Sequence, residues 1–424
     1  MLKKRLMIHG LLRGASFLIA ATLMLALCAC GGGNSTESSA IAIGFPASAA
    51  SQLDSNVAVI NVTRGPGTNV NIPYVSVTVC MPGSTTQCKT IDNVLLDTGS
   101  TGLRLFASDM NAAPALPLPS IQVAGTTNIY ECAQFLDSKA WGTVKNADVI
   151  IGAKHASNVP VQIINTNFPS ALESSCGGSL MVPPSMTPLT NQSALSANGV
   201  LGTGIFVNDG QTYFDCTGTY PTQLCGIINL PASKQVQNPV ALFATDNNGV
   251  IVQLPALPDS GSTSASGYLI FGIDTSQNNN NALGSANVVP VNHLGRFTTR
   301  YNNQDLTNSF IDSGSNGLFF NDPSLPTNCT SGANGFYCPT TAQPVPLSAT
   351  IRLTPFTGAT VNFKVANSNT LFQGNRYAFN NLGGTLSTNS FDWGLPFFFG
   401  RSVYTAIEGK PVGNRVGPFY AFTN

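Results

Sequence analysis

Charged side chains are scarce in this chain of 424 residues. Only 9% of its residues are Asp, Glu, Lys or Arg, and the acidic and basic residues balance at 19 each. No basic run or patch is visible, so nucleic acid, which proteins bind through clustered Lys and Arg, is not an expected partner. Because the hydrophobic fraction of 43% is ordinary for a globular protein, the low charge indicates enrichment in small polar residues and not a membrane bundle.

Histidine motifs and helical periodicity are also missing. The three histidines, His9, His155 and His293, are isolated, and neither His-Glu-x-x-His nor Gly-x-Ser-x-Gly occurs. The chain has no glycine-rich loop that ends in Lys-Ser or Lys-Thr, which a phosphate cradle would need. Frequent Gly and Pro instead separate short runs that alternate in polarity, such as residues 74–79, and this is typical of antiparallel strands. We therefore predict a β protein without metal or cofactor.

The first 30 residues have the organisation of an export signal. Basic residues at positions 3–5 precede an apolar run over residues 17–27 that is too short for a lasting membrane span. The next segment, Leu27-Cys28-Ala29-Cys30, resembles the lipobox of bacterial lipoproteins, whose cysteine is lipidated and becomes the first mature residue. Cys30 is the preferred lipidation site because a small residue precedes it and glycines follow, with Cys28 as the weaker candidate. An ordinary secretory signal with incidental cysteines is the alternative.

Eight further cysteines lie beyond the signal. An even number of cysteines in an exported chain predicts disulfides, and eight allow 105 pairings. Three couples are close enough in sequence to clip local hairpins and leave a fourth couple. The predicted bonds are Cys80–Cys88, Cys216–Cys225, Cys329–Cys338 and Cys132–Cys176.

Two short motifs share one pattern and lie about one lobe apart. The first is Asp97-Thr98-Gly99-Ser100 and the second is Asp312-Ser313-Gly314-Ser315, and each is preceded by apolar residues and followed closely by Gly-Leu. The apolar residues predict a buried strand that ends at the aspartate, and the glycine permits the tight turn. The hydroxyl three places after each aspartate can hydrogen-bond its carboxylate.

This pair of motifs resembles the two active-site loops of pepsin-like aspartic proteases. Residues 198–206 and 391–398 resemble the apolar-glycine segments that run beside these loops in the family, and residues 267–274 and 401–407 resemble strands of its second lobe. The resemblance implies an all-β, bilobal fold with a cleft between two related lobes. It implies catalytic roles for Asp97 and Asp312, supported by Thr98, Gly99, Ser100, Ser313, Gly314 and Ser315.

The implied reaction is hydrolysis of a peptide or protein substrate. Two neighbouring carboxylates do not both ionise readily, so one can act as base and the other as acid without a metal or cofactor. The expected organisation is a signal peptide (1–29), a flexible tether (30–53), an N-terminal lobe (54–237) and a C-terminal lobe (238–424). We expect a monomer in the bacterial cell envelope, attached to the membrane by its lipid and, in a Gram-negative cell, not favoured for inner-membrane retention.

The sequence departs from the family in the hairpin that would close over substrate. Family members carry a tyrosine followed by glycine there, and a tryptophan soon after the first aspartate loop. Here the hairpin, with paired strands predicted over residues 129–135 and 143–151, offers Phe135, or less well aligned Tyr130, and Arg104 follows Leu103. Phe135 and Trp141 are candidate hairpin or cleft residues, although packing inside the hairpin is the preferred interpretation for Trp141. The alternative function is therefore an inactive binding protein for peptides or glycans.

Overall fold

The computed structural model describes residues 54–126, 128–165, 176, 187–219, 222–330, 333–386 and 389–424. The predictions for the signal peptide, the tether and the lipidation of Cys30 lie outside these residues. The segment over residues 169–173, whose secondary structure the sequence leaves ambiguous, also lies outside them. Within the described ranges, no helix has both the length and the apolar character that a membrane crossing needs.

Short strands are the main regular secondary structure of the described chain. The first half contains β1 (Val57–Val62), β2 (Pro73–Cys80), β3 (Cys88–Asp97), β4 (Thr101–Phe106), β5 (Ile129–Gln134), β6 (Ser138–Ile151), β7 (Lys154–Ile164), β8 (Thr187–Pro188), β9 (Gly199–Thr203), β10 (Thr212–Thr217) and β11 (Leu224–Ile228). The second half contains β12 (Gly249–Gln253), β13 (Ala265–Phe271), β14 (Asn287–Pro290), β15 (Phe297–Tyr301), β16 (Gln304–Ile311), β17 (Leu318–Phe320), β18 (Val345–Arg352), β19 (Gly358–Val365), β20 (Gly383–Thr385), β21 (Asp392–Trp393), β22 (Ser402–Ala406), β23 (Pro411–Val412), β24 (Arg415–Val416) and β25 (Phe419–Phe422).

The helices are short connections between these strands. They are α1 (Ala107–Asn111), α2 (Gln192–Leu195) and α3 (Ser368–Leu371), with single 3₁₀ turns at Ala232–Lys234, Pro239–Leu242, Gln277–Asn279 and Leu395–Phe397. The polar run over residues 277–281 predicts a surface loop, and the structure adds the turn at Gln277–Asn279 within it. Asn279 is fully buried there, and its side-chain oxygen accepts hydrogen bonds from the amides of Thr275 and Ser276.

One large sheet runs through both halves of the chain. Its order is β11-β10-β5-β6-β7-β4-β9-β3-β2-β1-β13-β12-β22-β25-β14, and β1 joins the halves by pairing antiparallel with β13 from Val57↔Ile270 to Val62↔Ala265. A second sheet, β19-β18-β15-β16-β21-β17-β20, is built only from the second half. The lobe boundary after residue 237 stays a prediction.

The two halves repeat one local arrangement around the aspartate motifs. In the first half β3 runs parallel to β9, with Asp97 opposite Gly202, and β9 runs antiparallel to β4. In the second half β16 runs parallel to β21, with Ile311 opposite Trp393, and β21 runs antiparallel to β17. Each apolar-glycine segment therefore lies beside an aspartate strand, as the sequence predicted. The predicted fold class, all-β with two related lobes, is confirmed.

A continuous apolar core holds both aspartate strands in place. Leu96 from β3 and Ile311 from β16 are fully buried in the same cluster. In the second half the core is aromatic: Phe391 stacks on Phe320 at 4.7 Å between ring centroids and on Trp393 at 4.1 Å. Close packing on this scale leaves little room for side chains to move, so the strands that end at the aspartates are rigid.

Four disulfides connect the cysteine pairs that the sequence predicted, Cys80–Cys88, Cys132–Cys176, Cys216–Cys225 and Cys329–Cys338. The bond from Cys132 begins on β5, the first strand of the β5–β6 hairpin, and ends at a residue 44 positions later. Cross-links of this kind stabilise a fold by restricting the unfolded chain.

The β5–β6 hairpin is tighter than the sequence predicted. We expected the second strand to start at Thr143, but β6 starts at Ser138, so residues 135–137 alone connect the strands. The expectation was wrong because the buried residues Ala140 and Trp141 pair with Ala133 and Cys132 and extend the strand. Leu136 lies at the tip, and 47% of its surface is exposed.

Candidate active site

Two strands from different halves carry the aspartates to one place. Asp97 is the last residue of β3 and is only 7% exposed, and Asp312 directly follows β16. The amide of Asp312 donates to the Trp393 carbonyl at 3.1 Å, which fixes the end of β16 against β21. Each aspartate therefore extends from an ordered strand end and not from a free loop.

Each carboxylate is held by its own loop through the same two kinds of donor. Asp97 Oδ1 accepts from the Gly99 amide at 2.8 Å, and its Oδ2 accepts from Ser100 Oγ at 2.6 Å. Asp312 Oδ1 accepts from the Gly314 amide at 2.7 Å, and its Oδ2 accepts from Ser315 Oγ at 2.8 Å. The serines three places after the aspartates thus lie where the sequence motif placed them, and both carboxyls have a defined orientation.

The two carboxyls face each other across a gap that only glycine permits. A β-carbon added to Gly99 would lie 2.5 Å from Asp312 Cγ, and one added to Gly314 would lie 2.7 Å from Asp97 Cγ. Real β-carbons do not approach heavy atoms this closely, so each glycine makes room for the aspartate of the other half. The site residues predicted from two distant motifs are therefore brought together.

The residues after the aspartates join the two loops. The Thr98 amide donates to Ser313 Oγ at 3.1 Å, and the Ser313 amide donates to Thr98 Oγ1 at 3.0 Å. Ser313 Oγ in turn donates to the Leu96 carbonyl at 2.7 Å. Both side chains are fully buried, so these bonds are shielded from water and couple the positions of the loops.

Burial and the second carboxyl change the protonation of the site. Burial, followed by the negative charge of Asp312 and a hydrogen bond to its side chain, raises the pKa of Asp97 from an ordinary 3.8 to about 8. Hydrogen bonds from Ser100 and Gly99 act in the opposite direction. The pair therefore retains one proton at neutral pH. One carboxyl can then act as an acid and the other as a base on the same reacting group.

The hairpin candidates have different surroundings. Trp141 is 2% exposed; it stacks on Tyr130 at 5.2 Å with an interplanar angle of 17°, and meets Phe214 edge-on at 5.2 Å. It therefore packs inside the hairpin, which was the interpretation preferred from sequence. Phe135 is partly exposed where β5 ends, and its ring centre lies 5.8 Å from the Arg104 guanidinium carbon. A cleft role for Phe135 stays a prediction.

Sequence reasoning missed a buried charged group next to the site. Arg104, Glu131 and Asp209 contact one another, although only Arg104 had drawn attention, as a departure from the family pattern. The available signal was an arginine inside the apolar strand β4, since a buried guanidinium needs acidic partners. Within the part of the chain that the structure describes, no three His, Cys, Asp or Glu side chains are grouped as a metal ion would need.

Comparisons with known proteins give one family and distant structural likenesses. A family model described as "Protein of unknown function (DUF3443)" matches residues 52–422, a range that includes both aspartate motifs. No curated protein matches the chain. Among solved structures, the chain is similar to an aspartic proteinase from Irpex lacteus, with 14% identity and a TM-score of 0.48, over 87% of this chain and 96% of that one.

Proposed function

This chain belongs to the DUF3443 family, and we propose that it is an aspartic endopeptidase. The observation that carries the proposal is the opposition of Asp97 and Asp312. Each carboxyl is held by backbone amide donors and one serine hydroxyl, and each lies against the glycine of the opposite loop. Because the pKa of Asp97 is raised, the pair keeps the proton that general acid–base hydrolysis needs.

The reaction starts with one carboxyl of the pair ionised and the other protonated. A water molecule between them loses a proton to the ionised carboxylate while its oxygen attacks the carbonyl carbon of the substrate. The protonated carboxyl gives its proton to the carbonyl oxygen, so a neutral tetrahedral intermediate with two hydroxyls forms. One hydroxyl of the intermediate then gives its proton to the ionised carboxylate as the carbonyl reforms, the carbon–nitrogen bond breaks, and the leaving nitrogen takes its proton from the protonated carboxyl. The pair ends with one proton, as it began.

The hydrogen bonds around the pair make this cycle efficient. Since the donors from Gly99, Ser100, Gly314 and Ser315 already orient the carboxyls, little reorganisation is required as charge moves between them. The Thr98–Ser313 bonds keep the loops at a constant separation. We further propose that the protein acts on a peptide or protein substrate, is a monomer, and is attached to the cell envelope through Cys30. The four disulfides support an oxidising compartment.

The test is peptide cleavage by the wild type and by Asp97→Asn and Asp312→Asn, across acidic to neutral pH. The expected result is a loss of at least about 100-fold in kcat/KM for either variant, because general acid–base catalysis is worth about 10²–10⁴-fold. A pepstatin-type transition-state analogue should inhibit the wild type. Asp92→Asn is the matched control, since Asp92 is on the same strand and exposed, and its carboxylate accepts a hydrogen bond from Ser76 far from the pair. Equal cleavage by all variants would reject the proposal.

A binding protein without catalytic activity is the second candidate. It is favoured by Arg104, which stands where the resemblance leads one to expect the tryptophan that supports the hairpin tyrosine. In that case the double Asp97→Asn, Asp312→Asn variant would still capture peptides or glycans with unchanged affinity, and the wild type would turn over none of them.

A further inference from the structure

Arg104 is a buried cation in the strand that follows the first aspartate loop. Its side chain is 1% exposed. Its Nη1 donates at 2.7 Å to the carbonyl of Thr101, the first residue of β4 after the aspartate loop. The strand around it pairs with β9 on one side and β7 on the other, with Arg104 opposite Val200 and Gln162. Burying an unpaired guanidinium would cost several kcal/mol, so its position depends on its partners.

Those partners come from the β5–β6 hairpin and from the segment after β9. Arg104 Nη2 lies 2.5 Å from Glu131 Oε1 on β5 and 2.7 Å from Asp209 Oδ2. Both acidic side chains are almost completely buried, with 0% and 2% exposure. A single guanidinium therefore connects the exit of the aspartate loop to the first strand of the hairpin.

Neighbouring groups extend this connection. Tyr213 on β10 donates its hydroxyl to Asp209 Oδ1 at 2.8 Å and accepts from the Val236 amide at 2.7 Å. Gln162 on β7 donates to the Glu131 carbonyl at 2.9 Å. Since β10 and β7, which pair with β5 and β6, both contribute, a change in the Arg104 contacts would reach β5 and its end at Phe135.

The charges in this group balance only with a bound proton. Burial raises the pKa of Glu131 well above its ordinary value; the Arg104 charge opposes this shift, while the charge and hydrogen bond of Asp209 add to it. A protonated Glu131 can still accept from Arg104 through its carbonyl oxygen and can donate to Asp209. The group is then one cation, one anion and one neutral acid, which is the least costly state in a dry interior.

We propose that Arg104, Glu131 and Asp209 form a hairpin anchor that holds the β5–β6 hairpin at a fixed position relative to the first aspartate loop. The inference rests on the proposed peptidase function, for which the three are positioning residues and not catalytic ones. An extended substrate held by the hairpin would bind more weakly once the anchor is broken. The aspartate pair itself keeps its own donors from Gly99, Ser100, Gly314 and Ser315.

The experiment compares Arg104→Met, Asp209→Asn and Glu131→Gln in the full chain at pH 5. Arg104→Met and Asp209→Asn should raise KM by about tenfold or more and change kcat by less than about threefold, since an altered binding step appears in KM. Glu131→Gln should stay within about twofold of wild type, because glutamine reproduces the hydrogen bonding of a protonated glutamate.

Two variants outside the hairpin are the controls. Arg300→Met removes an exposed ion pair with Asp305. Ile351→Ala removes a buried side chain from β18 and destabilises the second sheet.

A second readout does not depend on activity. Hydrogen exchange of the amides in residues 129–151 should accelerate by about tenfold or more in Arg104→Met and stay unchanged in both controls. The chain has two tryptophans, so fluorotryptophan NMR gives one signal for each. In Arg104→Met the signal of Trp141 in the hairpin should shift, and that of Trp393 should not. If Arg104→Met does not fold, Arg104→Lys keeps the charge without the planar fork and should give the same changes in weaker form.

The outcomes separate the two proposals. Unchanged KM and unchanged hairpin exchange in a folded Arg104→Met or Arg104→Lys variant would overturn the anchor. Equal acceleration of exchange in the hairpin and in the second sheet would also overturn it, since that pattern describes general destabilisation. A wild-type chain without peptidase activity would reject the proposed function, and the exchange and NMR measurements would then decide the anchor by themselves.

Discussion

Thr98 and Ser313 hydrogen-bond each other in both directions, amide to hydroxyl at 3.1 and 3.0 Å, although they lie 215 residues apart in sequence. Neither side chain is exposed to solvent. These bonds cross the junction between the two halves at the residues next to Asp97 and Asp312. Any change in this pair therefore acts on the spacing of the carboxyls and on the stability of the junction together.

Removing the Ser313 hydroxyl should weaken both stability and catalysis. Ser313→Ala leaves the Thr98 amide and the Leu96 carbonyl without their buried partner, and an unsatisfied buried group costs about 1–3 kcal/mol. We expect the free energy of unfolding to fall by that amount in urea titrations, with a measurable loss of kcat. Thr78→Val is the control, because Thr78 forms an exposed hydroxyl pair with Thr90 at 2.7 Å. Equal stability of the two variants would contradict the role of the buried pair.

A single methyl group at either active-site glycine should abolish activity. Gly99→Ala or Gly314→Ala would place a β-carbon within 2.5 or 2.7 Å of the opposite carboxyl carbon, so the pair must separate. We expect kcat/KM to fall by about 100-fold or more, since a misplacement of 1 Å can cost this much. Gly226→Ala on β11 is the matched control, since no atom lies within 4 Å of the added carbon. Normal activity in Gly314→Ala would show that the carboxyls need not approach so closely.

Activity should extend to neutral pH and disappear in mild alkali. The pair works with one proton, and the pKa of Asp97 is raised to about 8 by burial and by Asp312. We therefore expect the alkaline limb of kcat/KM against pH to fall with a midpoint of about 8. The measurement is initial rates on one peptide from pH 3 to 9, within the pH range where the protein remains folded. A midpoint below pH 6 would be inconsistent with the buried, paired state of Asp97.

The same aspartate should make stability depend on pH. Because the folded pKa of Asp97 is above its unfolded value, the folded state binds the extra proton, and the contribution of Asp97 to stability is greatest below about pH 4 and is lost towards pH 8. The expected slope reaches about 1.4 kcal/mol per pH unit between those values. Asp97→Asn should flatten this part of the curve in denaturant titrations at several pH values, whereas Asp92→Asn should not. Parallel curves for wild type and Asp97→Asn would exclude this contribution.

Local patterns in the sequence were sufficient for much of the fold and for the two aspartate turns. Apolar residues before Asp97 and Asp312 formed the strands β3 and β16, since strand burial depends on residues close in sequence. The disulfides followed because neighbouring cysteines close short loops at low entropic cost. The hairpin was predicted with its second strand five residues too short, because pairing partners in β5, and not local preference, decide where β6 begins.

By itself the sequence determined that this chain is a β protein with two equivalent aspartate turns, because a turn and the strand before it are encoded within about ten neighbouring residues. Only the tertiary structure decided that these turns meet, that Thr98 and Ser313 join them, and that Arg104 has acidic partners 27 and 105 positions away. Contacts of that range depend on how whole strands pack. No local pattern specifies which of the 19 acidic residues will enclose a particular arginine.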